Sequence, residues 1–300
     1  MTDAARRVSR ATLLVLFSAC CFGSIPILIT LATDSGAGLI DVLVWRYGLA
    51  AVLLVLAAGG VGAVRRAGRR ALPLIVLAGG GQAAIAFVSL SALRYIPAAS
   101  LTFLFSTYPA WVAVTAALRG TERLTGRRAG ALVLSLAGIA MMVGMPGAGG
   151  LHPVGAALAL SAALLYALYI PMIDHFGRGL APAVTATFAS GGAAMVLLAA
   201  AVVQGGPALR FAPIAWVAIA TLAVVSTVLA FIAFLRGLAV IGPVRTAIVS
   251  SVEPFWTALL GSLVLGQLLG PRTMLGGVLI AAAVIVLQLG HRAREPVSSL

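Results

Sequence analysis

Ionisable residues are few in this chain, and two of them, Glu253 and Arg46, fall well inside long apolar runs. A charge at the centre of a membrane helix costs about 2.5–3.5 kcal/mol, so such residues are the first candidates for chemistry. Glu253 is followed by Pro254, which lacks a backbone donor and disturbs a helix just beyond the acid. Ser250, Trp256 and Thr257 stand three or four residues from Glu253, on one face of an uninterrupted helix. A carboxyl placed this way could carry a proton across a membrane or hold the amino group of a cargo. Its alternative role is structural, as the partner of Arg46. Ideal helical rise puts the two at depths roughly 8 Å apart, within reach of an arginine. Aromatic rings recur at helical spacing at Phe105, Tyr108 and Trp111, and again at Tyr166 and Tyr169. These stripes either wall a cavity around the acid or serve as helix packing. Gln82, in another apolar run, could hydrogen-bond a substrate or a neighbouring helix equally well. The candidate substrate-binding set is therefore Glu253, Tyr108, Trp111, Trp256, Ser250, Tyr166, Tyr169, Gln82 and Arg46.

Other chemistries lack their parts. An intramembrane enzyme needs a nucleophile and base, paired acids or a metal set at membrane depth, whereas one acid and no histidine lie deep here. His152 and His291 fall in loops and His175 at the end of an apolar run. None has acidic or cysteine partners at ligand spacing, so no metal site is expected. No Gly-Lys-Ser/Thr phosphate loop occurs, which leaves the chain without an ATP-driven engine of its own. Neither catalytic residues nor a cofactor is expected. Cys20 and Cys21 are adjacent within one apolar run and read as small packing residues rather than a disulfide framework.

The elements that must position these residues are membrane helices. The 300 residues are 62% hydrophobic, with a mean hydropathy of +1.13. A soluble domain is usually about half apolar and about a quarter charged. Lipid offers no partners for free backbone groups, which demands helices, and the period-2 alternation of a membrane barrel is absent. With roughly 20 apolar residues per span, ten spans are expected near 11–31, 39–59, 71–93, 98–118, 128–145, 153–174, 181–203, 213–235, 243–265 and 272–290. The third and fourth nearly touch at Arg94 to Pro97, and the eighth and ninth at Gly237 to Gly242. The first apolar run is long enough to span, and no small-residue cleavage site follows it, so it reads as a retained helix.

Charge gives the orientation. All twenty basic residues are arginine, and they cluster in alternate loops. One side holds Arg6, Arg7 and Arg10, the run from Arg65 to Arg70, Arg119 to Arg128, Arg178, Arg236, Arg292 and Arg294; the other holds Arg94, Arg210 and Arg272. The positive-inside rule puts both termini in the cytoplasm, in agreement with an even number of spans. A nucleic-acid surface would instead need a basic groove with interleaved aromatics.

Residue n set beside residue n+145 reveals an internal repeat. Leu93-Arg94-Tyr95-Ile96 falls on Leu238-Ala239-Val240-Ile241, Pro109-Ala110-Trp111 on Pro254-Phe255-Trp256, Leu124 on Leu269 and Arg127 on Arg272. The repeat unit holds five helices, an odd number, so the second copy enters the membrane from the opposite side. Inverted repeats of this kind underlie alternating access in many secondary transporters. The expected fold is thus an all-α integral membrane protein of two inverted five-helix repeats. They cover 11–148 and 149–290, flanked by cytoplasmic tails at 1–10 and 291–300.

The stretch Ala99 to Pro109 resembles the fourth helix of EamA-type proteins in the drug/metabolite transporter superfamily, and Arg245 to Pro254 their ninth. Trp45-Arg46-Tyr47 resembles the arginine-bearing second helix. Gly120-Thr121-Glu122 matches the short Gly-Glu loop that follows each family repeat, whereas the second half has Gly266-Gln267, a glutamine where the family often has glutamate. The resemblance implies metabolite transport, commonly export of amino acids or related amphipathic compounds, by a multi-pass protein of the cell membrane. Expected partners are a small-molecule substrate, the lipid bilayer and, for a coupling acid, protons; a homodimer is also open. The rival classes are a non-transporting membrane scaffold or receptor, which would carry sizeable soluble regions, and an intramembrane enzyme.

Overall fold

Proline sets many of the helix boundaries in this protein. Its ring fixes φ and it has no N–H to leave unsatisfied, so it is at home in the first turn of a helix. A computed structural model describes residues 3–66, 68, 71–118, 126–143, 150–177, 179–250 and 252–289. The described elements are helical throughout. In chain order they are α1 (Asp3–Gly23), α2 (Ile25–Asp34), α3 (Leu39–Ala57) and the short α4 (Val61–Arg65). A π turn (Leu74–Gly79) then leads into α5 (Gly80–Ser91), followed by α6 (Ala98–Phe105), α7 (Tyr108–Leu118) and α8 (Gly126–Val143). The second half comprises α9 (Pro153–Gly177), α10 (Pro182–Val203), α11 (Pro213–Ala223), a π turn (Val224–Leu229), α12 (Ala230–Ser250), α13 (Glu253–Leu265) and α14 (Pro271–Leu289).

Among the described residues, six helical runs are long and apolar enough to cross a bilayer: Arg6–Asp34, Leu39–Ala57, Ala71–Arg94, Pro153–Gly177, Ala183–Val203 and Pro213–Ile241. Ala129–Met142, Glu253–Leu265 and Pro271–Val286 are shorter apolar helices. Their outer faces are apolar, as lipid requires: Leu263 is 73% exposed and Val52 63%. Three expected spans are not continuous helices. The one at 11–31 is interrupted at Ser24, between α1 and α2. The one at 98–118 is split into α6 and α7 at Ser106 and Thr107. The one at 243–265 begins within α12, which runs on through Gly237 to Gly242, and the interruption falls instead just before Glu253. Glycine weakens a helix by about 1 kcal/mol without ending it. Gly237 serves packing, because a Cβ there would strike the side chain of Val15 and the backbone of Ala11 on α1.

The packing carries the repeat. α3 packs along α10, its counterpart 145 residues on, and α8 along α14 in the same relation. α1 lies against α12 as α9 lies against α5, and α13 meets α1 as α7 meets α9. The seam between the first π turn and α10 is a backbone contact: a Cβ on Gly79 would lie 2.4 Å from the Cα of Gly192. The main core runs through Ile29, Leu43, Tyr47, Phe103, Leu104, Ile219 and Leu222. Phe103 is sealed by Gly277, where any Cβ would overlap its ring. The loop after α10 is clamped to α3 at both backbone groups of Ala208. Its N–H donates to Asp41 Oδ1 (2.9 Å), and its carbonyl accepts from Trp45 Nε1 (3.1 Å).

Candidate functional site

Two helix breaks build the site. Pro109 and Pro254 occupy equivalent places in the repeat, and in each case the helix restarts one residue earlier, at Tyr108 in α7 and at Glu253 in α13. The acid therefore stands in the first turn of its helix, where the aligned backbone dipoles favour a negative charge by about 0.3–1 kcal/mol. The expectation that Pro254 disturbs the helix beside Glu253 holds. The expectation that Ser250, Glu253, Trp256 and Thr257 share one helical face does not, because the break comes between the first two. Ser250 closes α12, whereas Trp256 and Thr257 turn toward the junction of α1 and α2.

That junction is a third proline break, at Ser24 before Ile25-Pro26. Thr257 Oγ1 donates to the Gly23 carbonyl (2.7 Å) and also lies 3.1 Å from the Glu253 carbonyl oxygen. Trp256 Nε1 donates to Ser24 Oγ (3.3 Å). A Cβ at Gly23 would come within 2.8 Å of the Glu253 carbonyl oxygen, so glycine is what lets the two breaks touch. Trp256 thus fixes the position of the acid rather than lining its front.

The aromatic stripes of the two halves do come together. Tyr108 meets Tyr166 edge-on at 4.9 Å between ring centroids, Phe105 lies 5.3 Å from Tyr166, and Tyr166 stacks on Tyr169 at 6.1 Å. Gly81 on α5 makes room for this cluster, since a Cβ there would lie 2.9 Å from the Tyr169 ring. Among the described residues Trp111 has no hydrogen-bond partner for its buried Nε1, although its repeat counterpart Trp256 has one.

Gln82 and Arg46 form a second group. Gln82 Nε2 donates to the Tyr47 hydroxyl (3.0 Å), so it does bond a neighbouring helix. Arg46 is 6% exposed. Its Nε donates to Thr227 Oγ1 (3.2 Å), and its guanidinium lies 5.0 Å from the centre of the Tyr47 ring. Thr227 belongs to the second π turn and donates in turn to the Leu222 carbonyl, five residues back (2.8 Å). π turns concentrate at functional positions in helices.

No ion pair joins Arg46 to Glu253 among the described residues. The structural pairing open from sequence is therefore not formed. Arg46 is directed instead to a neutral hydroxyl and a tyrosine ring.

Several features have local structural roles. Gln267 Oε1 accepts the Ala98 N–H at the start of α6 (3.1 Å), so the residue that replaces the acid of the Gly-Glu loop ties the α13–α14 loop to the first repeat. His152 Nδ1 accepts the Val154 N–H (3.3 Å), and its ring stacks on Tyr95. Cys21 is buried and unbonded. The first Gly-Glu loop, residues 120–122, lies outside the described residues. Sequence reasoning did not single out Tyr47 or Thr227. Tyr47 was readable as the neighbour of Arg46, but nothing in the sequence marks the π turn that presents Thr227. The pair Pro26 and Pro171, 145 residues apart, was a further repeat signal. Pro26 starts a helix, whereas Pro171 lies inside α9.

One family matches the chain twice, the EamA-like transporter family, over residues 9–144 and 153–289. The chain belongs to the EamA-like transporter family. The double match covers both halves, agrees with the paired helix packing, and makes the protein a multi-pass membrane transporter of a family that transports rather than catalyses. A solved structure titled only "Crystal structure of protein" superposes with a TM-score of 0.66 at 19% identity. The match covers 96% of this chain and 99% of that one, which shows a shared fold. No curated protein matches the chain.

Proposed function

We propose that this EamA-like transporter exports small amphipathic metabolites, amino acids or related compounds, across the cell membrane by alternating access. The working topology is ten spans in two inverted repeats, 11–148 and 149–290, with both ends cytoplasmic; the arginine asymmetry and the family match support it. Glu253 is the central acid, holding a proton or the cargo's amino group as the site changes sides. Tyr108, Tyr166 and Tyr169 wall the site, with Trp111 beside them. Gln82 and Arg46 form its second polar end. Trp256 and Ser250 hold the break that aims the acid.

The carrying observation is the placement of Glu253: in the first turn of a helix that restarts inside the bundle, with no cation paired to it among the described residues. A structural acid at this depth would be expected to have found Arg46. Proton coupling follows naturally, because a lone carboxyl at a helix end can be occupied in turn by a proton and by a cationic group. The test is a comparison of cell and medium metabolites between cells that overexpress the chain and cells that do not. At least one amino acid or analogue should fall inside and rise outside. Equal levels across a broad panel, with the protein present in the membrane, would refute the reading.

A further inference from the structure

We propose that Arg46, with Tyr47 and Thr227, forms a carboxylate-binding subsite, so that the cargo carries a carboxyl group. The inference deepens the transport reading above and rests on it for the word cargo; the subsite itself is argued from the geometry alone. Arg46 is 6% exposed, on α3, and a guanidinium has five N–H donors and no acceptor. Among the described residues one of those donors is used, Nε to Thr227 Oγ1 at 3.2 Å. Among the described residues, the sealed polar atoms without partners are Ser18 Oγ, Ser100 Oγ, Trp111 Nε1 and Ser226 Oγ. The Nη groups of Arg46 are not among them and so border open space.

Among the described residues, the groups that contact the guanidinium bring no counter-charge. Tyr47 offers its ring face at 5.0 Å. The Tyr47 hydroxyl oxygen accepts from Gln82 Nε2, which leaves its own proton for another acceptor. Thr227 spends its proton on the Leu222 carbonyl and uses its oxygen for Arg46. Asp41, five residues back on α3, is committed to the Ala208 N–H. Glu253, at the start of α13, forms no ion pair with Arg46 among the described residues. What remains is a cluster of unspent donors around one buried positive charge. Its chemical complement is a planar oxyanion of single charge, which a guanidinium can hold with two parallel bonds. A carboxylate fits in charge and shape, whereas a phosphate monoester brings nearly two charges to one cation.

The test uses the full chain in lipid nanodiscs and a panel of L-amino acids, the matching amino-acid amides, and phosphoethanolamine, read by thermal melting. At least one amino acid should raise the melting temperature, and its amide, which lacks only the charge, should bind roughly ten- to a hundredfold more weakly. Arg46→Gln should erase that difference, and Arg46→Lys should keep part of it. Because Arg46→Gln could fail to fold, the wild type is also modified with phenylglyoxal and mapped by peptide mass. The same amino acid should protect Arg46 from modification, and its amide should not. Glu253→Gln should keep the preference for carboxylate over amide even where transport is lost, which separates this subsite from the transport reading. The proposal is overturned if acid and amide bind equally, if Arg46→Gln keeps the preference, or if phosphoethanolamine alone binds.

Discussion

Gly79→Ala should open the seam between the first π turn and α10, and the structure sets the size of the effect. The added Cβ would lie 2.4 Å from the Gly192 Cα, 2.6 Å from its carbonyl carbon and 2.9 Å from the Ala193 nitrogen, whereas ordinary contact begins at 3.4 Å. All three atoms are backbone, so no side chain can swing away; the two elements must part by about 1 Å. A radial gap of about 1 Å forfeits up to roughly half of each dispersion contact along the seam. Inserting a methyl into a closed contact costs about 1–3 kcal/mol. At roughly 2–4 °C per kcal/mol, the melting temperature should fall by about 2–12 °C. Two neighbours provide internal controls. A Cβ on Gly80 meets nothing within 4 Å, and one on Gly191 meets only the Ala51 methyl at 3.9 Å. Gly80→Ala and Gly191→Ala should be neutral or stabilising by up to about 1 kcal/mol. The assay is fluorescence-monitored melting of the purified protein in one detergent. If Gly80→Ala lowers the melting point as much as Gly79→Ala, the backbone-contact account of this seam is wrong.

Other outcomes follow from the same contacts. Thr257→Val removes the hydroxyl that satisfies the Gly23 carbonyl; melting should show a loss of about 1 kcal/mol, which Thr257→Ser restores. Tyr47→Phe and Gln82→Leu each break the bond between their side chains. A double-mutant cycle on melting should return a coupling of about 0.5–1.5 kcal/mol, and additive effects would deny the bond. Reporter fusions after residue 148 and after residue 300 should report opposite sides of the membrane; a shared side would contradict the ten-span topology.

The membrane class and the repeat were legible because they rest on composition and on register. Sixty-two per cent apolar residues leave no soluble option, and Pro109 falling on Pro254 needs no knowledge of packing. Meeting of the two aromatic stripes was half legible. Helical spacing put Tyr108 near Phe105 and Tyr166 near Tyr169, but only the packing of α7 on α9 brings the pairs face to face. The pairing of Arg46 with Glu253 stayed open in the sequence because depth arithmetic assumes straight helices. The break before Glu253 moves the acid to a helix start, and the π turn offers Arg46 a hydroxyl that an ideal helix would not present. Ser250 was placed on the face of the acid for the same reason, whereas Trp256 and Thr257 do follow Glu253 in one helix. Their partners, Gly23 and Ser24, lie at another helix break more than 200 residues away in sequence, and no local pattern encodes that distance.

The central claim is that Glu253 is a working acid rather than a structural one. Transport of the exported compound by Glu253→Gln, measured in proteoliposomes beside the melting temperature of the same preparation, tests it most directly. Glutamine keeps the size and a hydrogen-bonding amide but mimics only the neutral acid. The expected result is a melting temperature within a few degrees of wild type and transport reduced to background, with no rescue by Arg46→Gln. A Glu253→Gln protein that transports at the normal rate, or one that melts early and is rescued by Arg46→Gln, would contradict the account.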